Sequence, residues 1–129
     1  VFRHLHKLKQ IRPDPTCAKV AALVVGRQVE LVPGVAEYEP LIKVKGLPCW
    51  PSRPLYPQIV LGDDPVIQAI DFESPDSPEV EEIVLRAGVD FDDVLVAIPP
   101  PALARPAREL AAREPRWQNL LERTHSCAV

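Results

Sequence analysis

Four groupings in the 129-residue sequence bring chemically capable side chains together. His4-x-His6 puts two imidazoles on one side of an extended segment, an arrangement able to grip a metal ion. No third ligand at suitable spacing accompanies them, so an exposed strand face is expected and no metal site is assigned. His125 and Cys127 stand two apart, as a base and a thiol nucleophile would. They have no orienting partner, and no catalytic residue is expected. Asp63-Asp64 and the trio Asp90, Asp92 and Asp93 gather carboxylates but lack the glycine and closing glutamate of a calcium loop. Turn and strand-flanking roles are expected for them.

The elements that would position any site are clearest between Asp90 and Leu103. Val94-Leu95-Val96-Ala97-Ile98 is continuously apolar and rich in β-branched residues, with acidic residues before it and Pro99, Pro100 and Pro101 after it. A short apolar run between such breakers predicts a strand buried on both faces. Proline has no N–H and restricts the residue before it, so the strand should stop at Pro99. Helix is expected beyond it. The carboxyl end of a buried strand is where α/β proteins usually place ligands.

Four regions follow along the chain. Residues 1–32 read as a β-hairpin turning at Asp14-Pro15-Thr16. Its second strand begins as Val20 to Val25, bends at Gly26 and continues over Gln28 to Val32. Phe2, Leu5, Leu8 and Ile11 recur every three residues, a spacing that fits a helix almost as well as a bulged strand. Residues 33–79 form a proline-rich loop region with one short strand near Leu41 to Val44 and turns at Gly62 to Pro65 and Ser74 to Pro78. Residues 80–98 read as a strand pair, Val80 to Leu85 and then the Val94 run. Residues 102–125 read as two helices, the second with Pro115 in its first turn and Trp117, Leu120 and Leu121 on one face. The expected class is α+β: a small, mostly antiparallel or mixed sheet, a proline-rich loop region and two C-terminal helices.

Composition narrows the function classes. Sixteen prolines in 129 residues is about 12%, against a usual share of about 5%, and nine of them lie between Pro33 and Pro78. No long helix is expected there. A net charge of −3 argues against a nucleic-acid partner, which needs a basic face. No apolar stretch approaches the roughly 20 residues of a membrane span, so no membrane partner is expected. Three cysteines without C-x-x-C spacing argue against a disulfide framework and for a reducing, cytoplasmic setting.

The segment Asp90 to Leu103 resembles the "fDxVVLAIPPxAL" stretch of flavin-containing amine oxidase-like proteins, FAD-dependent oxidoreductases with a dinucleotide-binding domain. Ala112 to Trp117 with Leu120-Leu121-Glu122 is similar to the helical segment that follows in a bacterial branch of that family. Glu37 to Ile42 and Val44 to Pro51 are similar to its middle region, and His6 to Ile11 to its "HxVxxL" strand. The pieces keep the family's order over most of the chain. The resemblance implies that the first strand passes the adenine end of FAD through main-chain groups at Leu8, where the family more often has valine. It also implies that Ala97, Ile98 and Pro99 lie near the cofactor.

None of the five glycines (Gly26, Gly34, Gly46, Gly62, Gly88) forms the G-x-G-x-x-G turn that brings a backbone against a pyrophosphate. The chain holds no methionine, and it opens inside what reads as a strand. Residues 1–129 are therefore expected to be a single internal fragment of a larger flavoprotein, inactive alone and carrying no FAD by itself. Its partner would be the remainder of the parent. VAALVV and VLVAI, shaped to pack inside a larger protein, imply self-association of the isolated piece. A second reading is a free-standing interaction module whose proline-rich loop and Trp50 recognise a protein.

Overall fold

The computed structural model describes residues 5–124. Among these residues, five strands and four short α-helices make an α+β fold. The chain divides into two compact units, one formed by residues up to 7 with 26–82, the other by 8–25 with residues from 83 onward. Each has its own apolar cluster.

Strands β1 (His6–Pro13) and β2 (Val20–Arg27) make the expected hairpin. Asp14 N–H donates to the Lys19 carbonyl at 2.9 Å, and Gln28 N–H donates to the Leu5 carbonyl at 2.8 Å. Bonds at both ends of the pair, between residues running in opposite directions, make it antiparallel. Strand β5 (Glu81–Arg86) joins the far side of β2, giving the order β1-β2-β5. Val80 N–H bonds to Arg27 O at 2.7 Å and Ala87 N–H to Ala21 O at 3.0 Å, so this pair is antiparallel too. Gly26 does not bend the chain out of the sheet, and β2 runs through it to Arg27. The expected continuation over Gln28 to Val32 reduces to one antiparallel bridge, Leu31 with Ile59.

In the first unit, Leu5, Val29, Tyr38 and Ile59 are buried together, with Leu31, Leu55, Tyr56, Ile67 and Phe72 packed against them. Burying such a side chain fully stabilises by about 1.5–3 kcal/mol. The proline-rich region supplies part of this core. The Tyr38 hydroxyl accepts the Leu55 N–H at 2.8 Å, and the Gln58 amide bonds both main-chain groups of Glu39, at 2.8 and 2.9 Å. Gly62 follows the 3₁₀ turn Tyr56–Gln58, and a Cβ there would lie 2.0 Å from the Tyr56 carbonyl oxygen. Only glycine tolerates that approach. Asp64 then caps helix α1 (Pro65–Gln68), accepting the Val66 N–H at 2.8 Å. The expected strand near Leu41 is β3 (Ile42–Val44), and it pairs with β4 (Leu47–Cys49) in a hairpin.

The second unit buries Ile11, Leu103 and Ala107, with Leu8, Val20, Leu23, Val96, Ile98, Trp117 and Leu121 packed around them. The helical region contains α2 (Pro100–Leu103), α3 (Arg108–Arg113) and α4 (Pro115–Arg123). The first expected helix is divided near Arg105-Pro106, because a proline inside a helix loses the bond to the carbonyl four residues back. Pro115 stands in the first turn of α4 as anticipated, and the Glu114 side chain caps it by accepting the Arg116 N–H at 3.2 Å. Trp117 and Leu121 face the core, whereas Leu120 is exposed. The inward face is therefore an i, i+4 pair.

The expected strand pair over 80–98 is corrected as well. Val94 to Ile98 is not a strand, and 80–98 is not a strand pair: only β5 is regular, and the following turn carries a single bridge between Ala87 and Phe91. Val94, Val96 and Ile98 are half-buried while Leu95 and Ala97 are exposed, Leu95 at 94%. The run is thus buried on one side. Apolar composition signals burial but does not supply a neighbouring strand to hydrogen-bond with.

Candidate functional site

The four residues assigned to a cofactor lie on β1 and on the segment leading into α2, both within the second unit. Leu8 and Ile98 are half-buried and pack against the same Ile11, Leu103 and Ala107 cluster, so the fold brings these two together although 90 positions separate them. Ala97 and Pro99 are exposed. Pro99 precedes α2 with φ −54° and ψ 137°, and its carbonyl accepts the Ala102 N–H at 2.9 Å. Its conformation sets the helix entry.

Leu8 and Ile11, three apart, both reach this cluster. Strict alternation would send them to opposite faces, so β1 does not keep a regular period of two there. The Ile11 N–H donates to the Pro106 carbonyl at 2.8 Å, tying β1 to the turn between α2 and α3. Beside it, Gln10 Nε2 donates to Glu109 at 2.9 Å and Arg12 Nε donates to Gln10 Oε1 at 2.9 Å. These polar side chains are held by each other.

At the hairpin turn the Thr16 hydroxyl donates to the Asp14 carboxylate at 2.6 Å, and the Lys19 N–H donates to it at 3.2 Å. Hydrogen bonds to the charged form hold the Asp14 carboxyl below its ordinary value, the Thr16 bond contributing most. Arg113 Nη2 donates to Pro15 O at 2.6 Å, fixing this turn to α3.

The arrangement around Leu8 and Ile98 offers apolar surface and main-chain groups. Among the described residues packed in that cluster, none carries an acid, a base or a nucleophile. Asp63, Asp64, Asp92 and Asp93 lie in turns and loops, and the Asp90 carboxylate accepts the Arg86 N–H at 2.7 Å. Among the described residues no three His, Cys, Asp or Glu side chains gather as a metal set would. His4, His125 and Cys127 lie outside the described residues.

Sequence reasoning missed a buried polar group in the first unit. Gln28, 5% exposed, donates from Nε2 to Ser77 Oγ at 2.7 Å and to Phe72 O at 2.8 Å. The Lys7 ammonium donates to the carbonyls of Ser77 and, at 3.3 Å, Pro75. Every polar atom named here has a partner, which makes the group a clamp on the 72–77 loop. The only signal for it was a lone glutamine beside apolar positions.

Compared with family models, curated proteins and solved structures, the chain gives no match.

Proposed function

We propose that this chain is the central segment of an FAD-dependent oxidoreductase resembling flavin-containing amine oxidases, contributing the adenine-side strand and part of the substrate region. The observation that carries the reading is the shared packing of Leu8 and Ile98 on one cluster. Two segments named independently by the resemblance, far apart in sequence, meet in the second unit. β1 also lies at one end of the strand order, and an edge strand suits a contact made through main-chain groups.

The residues fit the adenine end of the cofactor and not its phosphates, since no glycine fingerprint occurs in this sequence. Leu8 would hold the adenine through the β1 main chain, with Ala97, Ile98 and Pro99 bordering the cofactor. When bound, the flavin supplies the redox chemistry, while the protein supplies position and electrostatics. The chain itself is proposed to act in a reducing, cytoplasmic setting with the remainder of the parent flavoprotein as its partner.

The test is the reading frame together with the colour of the product. A strand–helix unit bearing G-x-G-x-x-G upstream, and a full-length protein that purifies with a flavin absorbance, are the expected results. The 129-residue chain purified alone is expected to retain no flavin. A frame without that unit, giving a colourless protein that ignores added FAD, overturns the proposal.

A further inference from the structure

We propose that the β3–β4 hairpin of the first unit is a docking element for an anionic lipid surface. The inference does not depend on the flavoprotein reading. The register pairs Ile42 with Cys49 and Val44 with Leu47, so these four side chains share one face, and Lys43 with Pro48 share the other. That face carries no charge and contributes nothing to the unit's apolar cluster. Ile42 and Val44 are exposed, as is Leu41 beside them, and Leu47 at the tip and Trp50 just past β4 are 67% and 63% exposed.

Charge selects the occupant. Residues 40–62 contain Lys43, Lys45 and Arg53 and no carboxylate, in a chain whose net charge is −3. All three cations are exposed. Two exposed carboxylates, Glu37 and Glu39, precede the hairpin, and the next ones run from Asp63 to Glu82, a stretch with no Lys or Arg. An apolar tip, a neighbouring tryptophan and lysines on long stems form the combination that settles at a bilayer interface, with the ring at headgroup depth and the ammonium groups reaching anionic headgroups. At physiological salt, charges further than roughly 8 Å apart are largely screened, so this local cationic set can act within an acidic chain. Among the described residues no helix is long and apolar enough to cross a membrane, and the contact proposed is a surface one.

A second copy fits less well. Five partly exposed side chains fall short of the roughly 800 Å² per partner of a standard interface. Strand addition is also hindered on both edges. In a two-residue hairpin the pair flanking the turn is hydrogen-bonded, so the next pair, Lys43 with Pro48, directs its main chain outward. Pro48 has no N–H to offer there, and a two-fold β3–β3 pairing centred on Lys43 would set like charges side by side.

The test is co-sedimentation of the intact protein with vesicles of phosphatidylglycerol and phosphatidylcholine in equal parts, against phosphatidylcholine alone. Binding to the anionic vesicles is expected, weakening as salt is raised. Lys43→Gln with Lys45→Gln is expected to lower the partition coefficient roughly tenfold or more, and Leu47→Glu with Trp50→Ser to abolish it. Circular dichroism matching the parent protein verifies that both variants fold. No binding to anionic vesicles overturns the proposal, as does undiminished binding by Leu47→Glu with Trp50→Ser. Lipid-free self-association in sedimentation equilibrium that the same substitutions abolish also overturns it, assigning the hairpin to a second copy.

Discussion

The molecule contains two β-hairpins built on opposite terms. β1–β2 has eight residues per strand, buries Ile11 and Val24 to within 2% exposure, and closes its loop with side chains: the Asp14 carboxylate gathers the Thr16 hydroxyl and the Lys19 N–H. β3–β4 has three residues per strand and closes through the main chain alone, with Lys45 and Gly46 at φ +51° and +83°. Both central residues in the left-handed region give the turn whose twist matches paired strands. Yet its apolar face covers nothing in the unit. A short two-stranded ribbon is marginal by itself, so the first hairpin stands by burial and the second only by its turn and its tie to the unit. The lesson is that apolar residues in paired strands stabilise a fold only when another element of the chain covers them.

The strongest way to break that comparison is to truncate one apolar side chain in each hairpin. Ile11→Ala, at a fully buried position, is expected to lose about 2–5 kcal/mol of unfolding free energy. Val44→Ala, at an exposed one, should stay within about 0.5 kcal/mol of the parent protein. Urea denaturation followed by circular dichroism reads both. Equal losses at the two positions would mean that the exposed hairpin is covered after all. Between these extremes stands Gln28→Ala. It leaves Ser77 Oγ and the Phe72 carbonyl without their amide donor, and about 1–3 kcal/mol is expected from the unmet groups. Hydrogen exchange in residues 72–77 should quicken in that variant, while β3 and β4 amides keep their rates.

What could be read from the sequence follows the range of the interactions concerned. Asp14-Pro15-Thr16 announced its turn because the bonds that make it span five residues. Pro115 announced the start of α4 for the same reason. β3 was visible as a short β-branched run, but its partner was not, since Lys45-Gly46 lacks the Asn or Asp that marks such a turn and Pro48 argues against a strand. The Val94 to Ile98 run gave its apolar character correctly and its secondary structure wrongly, because the missing neighbour strand is a tertiary matter. Leu120 was grouped with Trp117 and Leu121 by spacing, although a helix face this narrow admits only the i, i+4 pair. Gln28 meets its partners 44 and 49 residues away, and no local pattern encodes that. Leu8 and Ile98, packed on one cluster, lie still further apart along the chain. Neither spacing nor periodicity links those two.

The finest distinction between the hairpins is their response to acid. Asp14 has its carboxyl held below the ordinary range by the Thr16 hydroxyl first and the Lys19 N–H second. A group whose folded pKa is depressed stabilises the fold above its unfolded value, about 3.9 for Asp, and that contribution is lost as pH falls through the folded value. Asp14→Asn keeps a carbonyl acceptor but removes the titration. Its stability deficit relative to the parent protein is therefore expected to be largest near neutrality and to shrink below about pH 4, measured as urea midpoints across that range. Parallel curves for the two proteins would mean that Asp14 shapes its turn without drawing stability from its charge. The β3–β4 turn holds no titrating acceptor, so Lys45→Gln should leave the acid limb of the curve unchanged. A small pH-dependent difference at one turn and none at the other would separate a loop closed by an ionised side chain from one closed by backbone conformation.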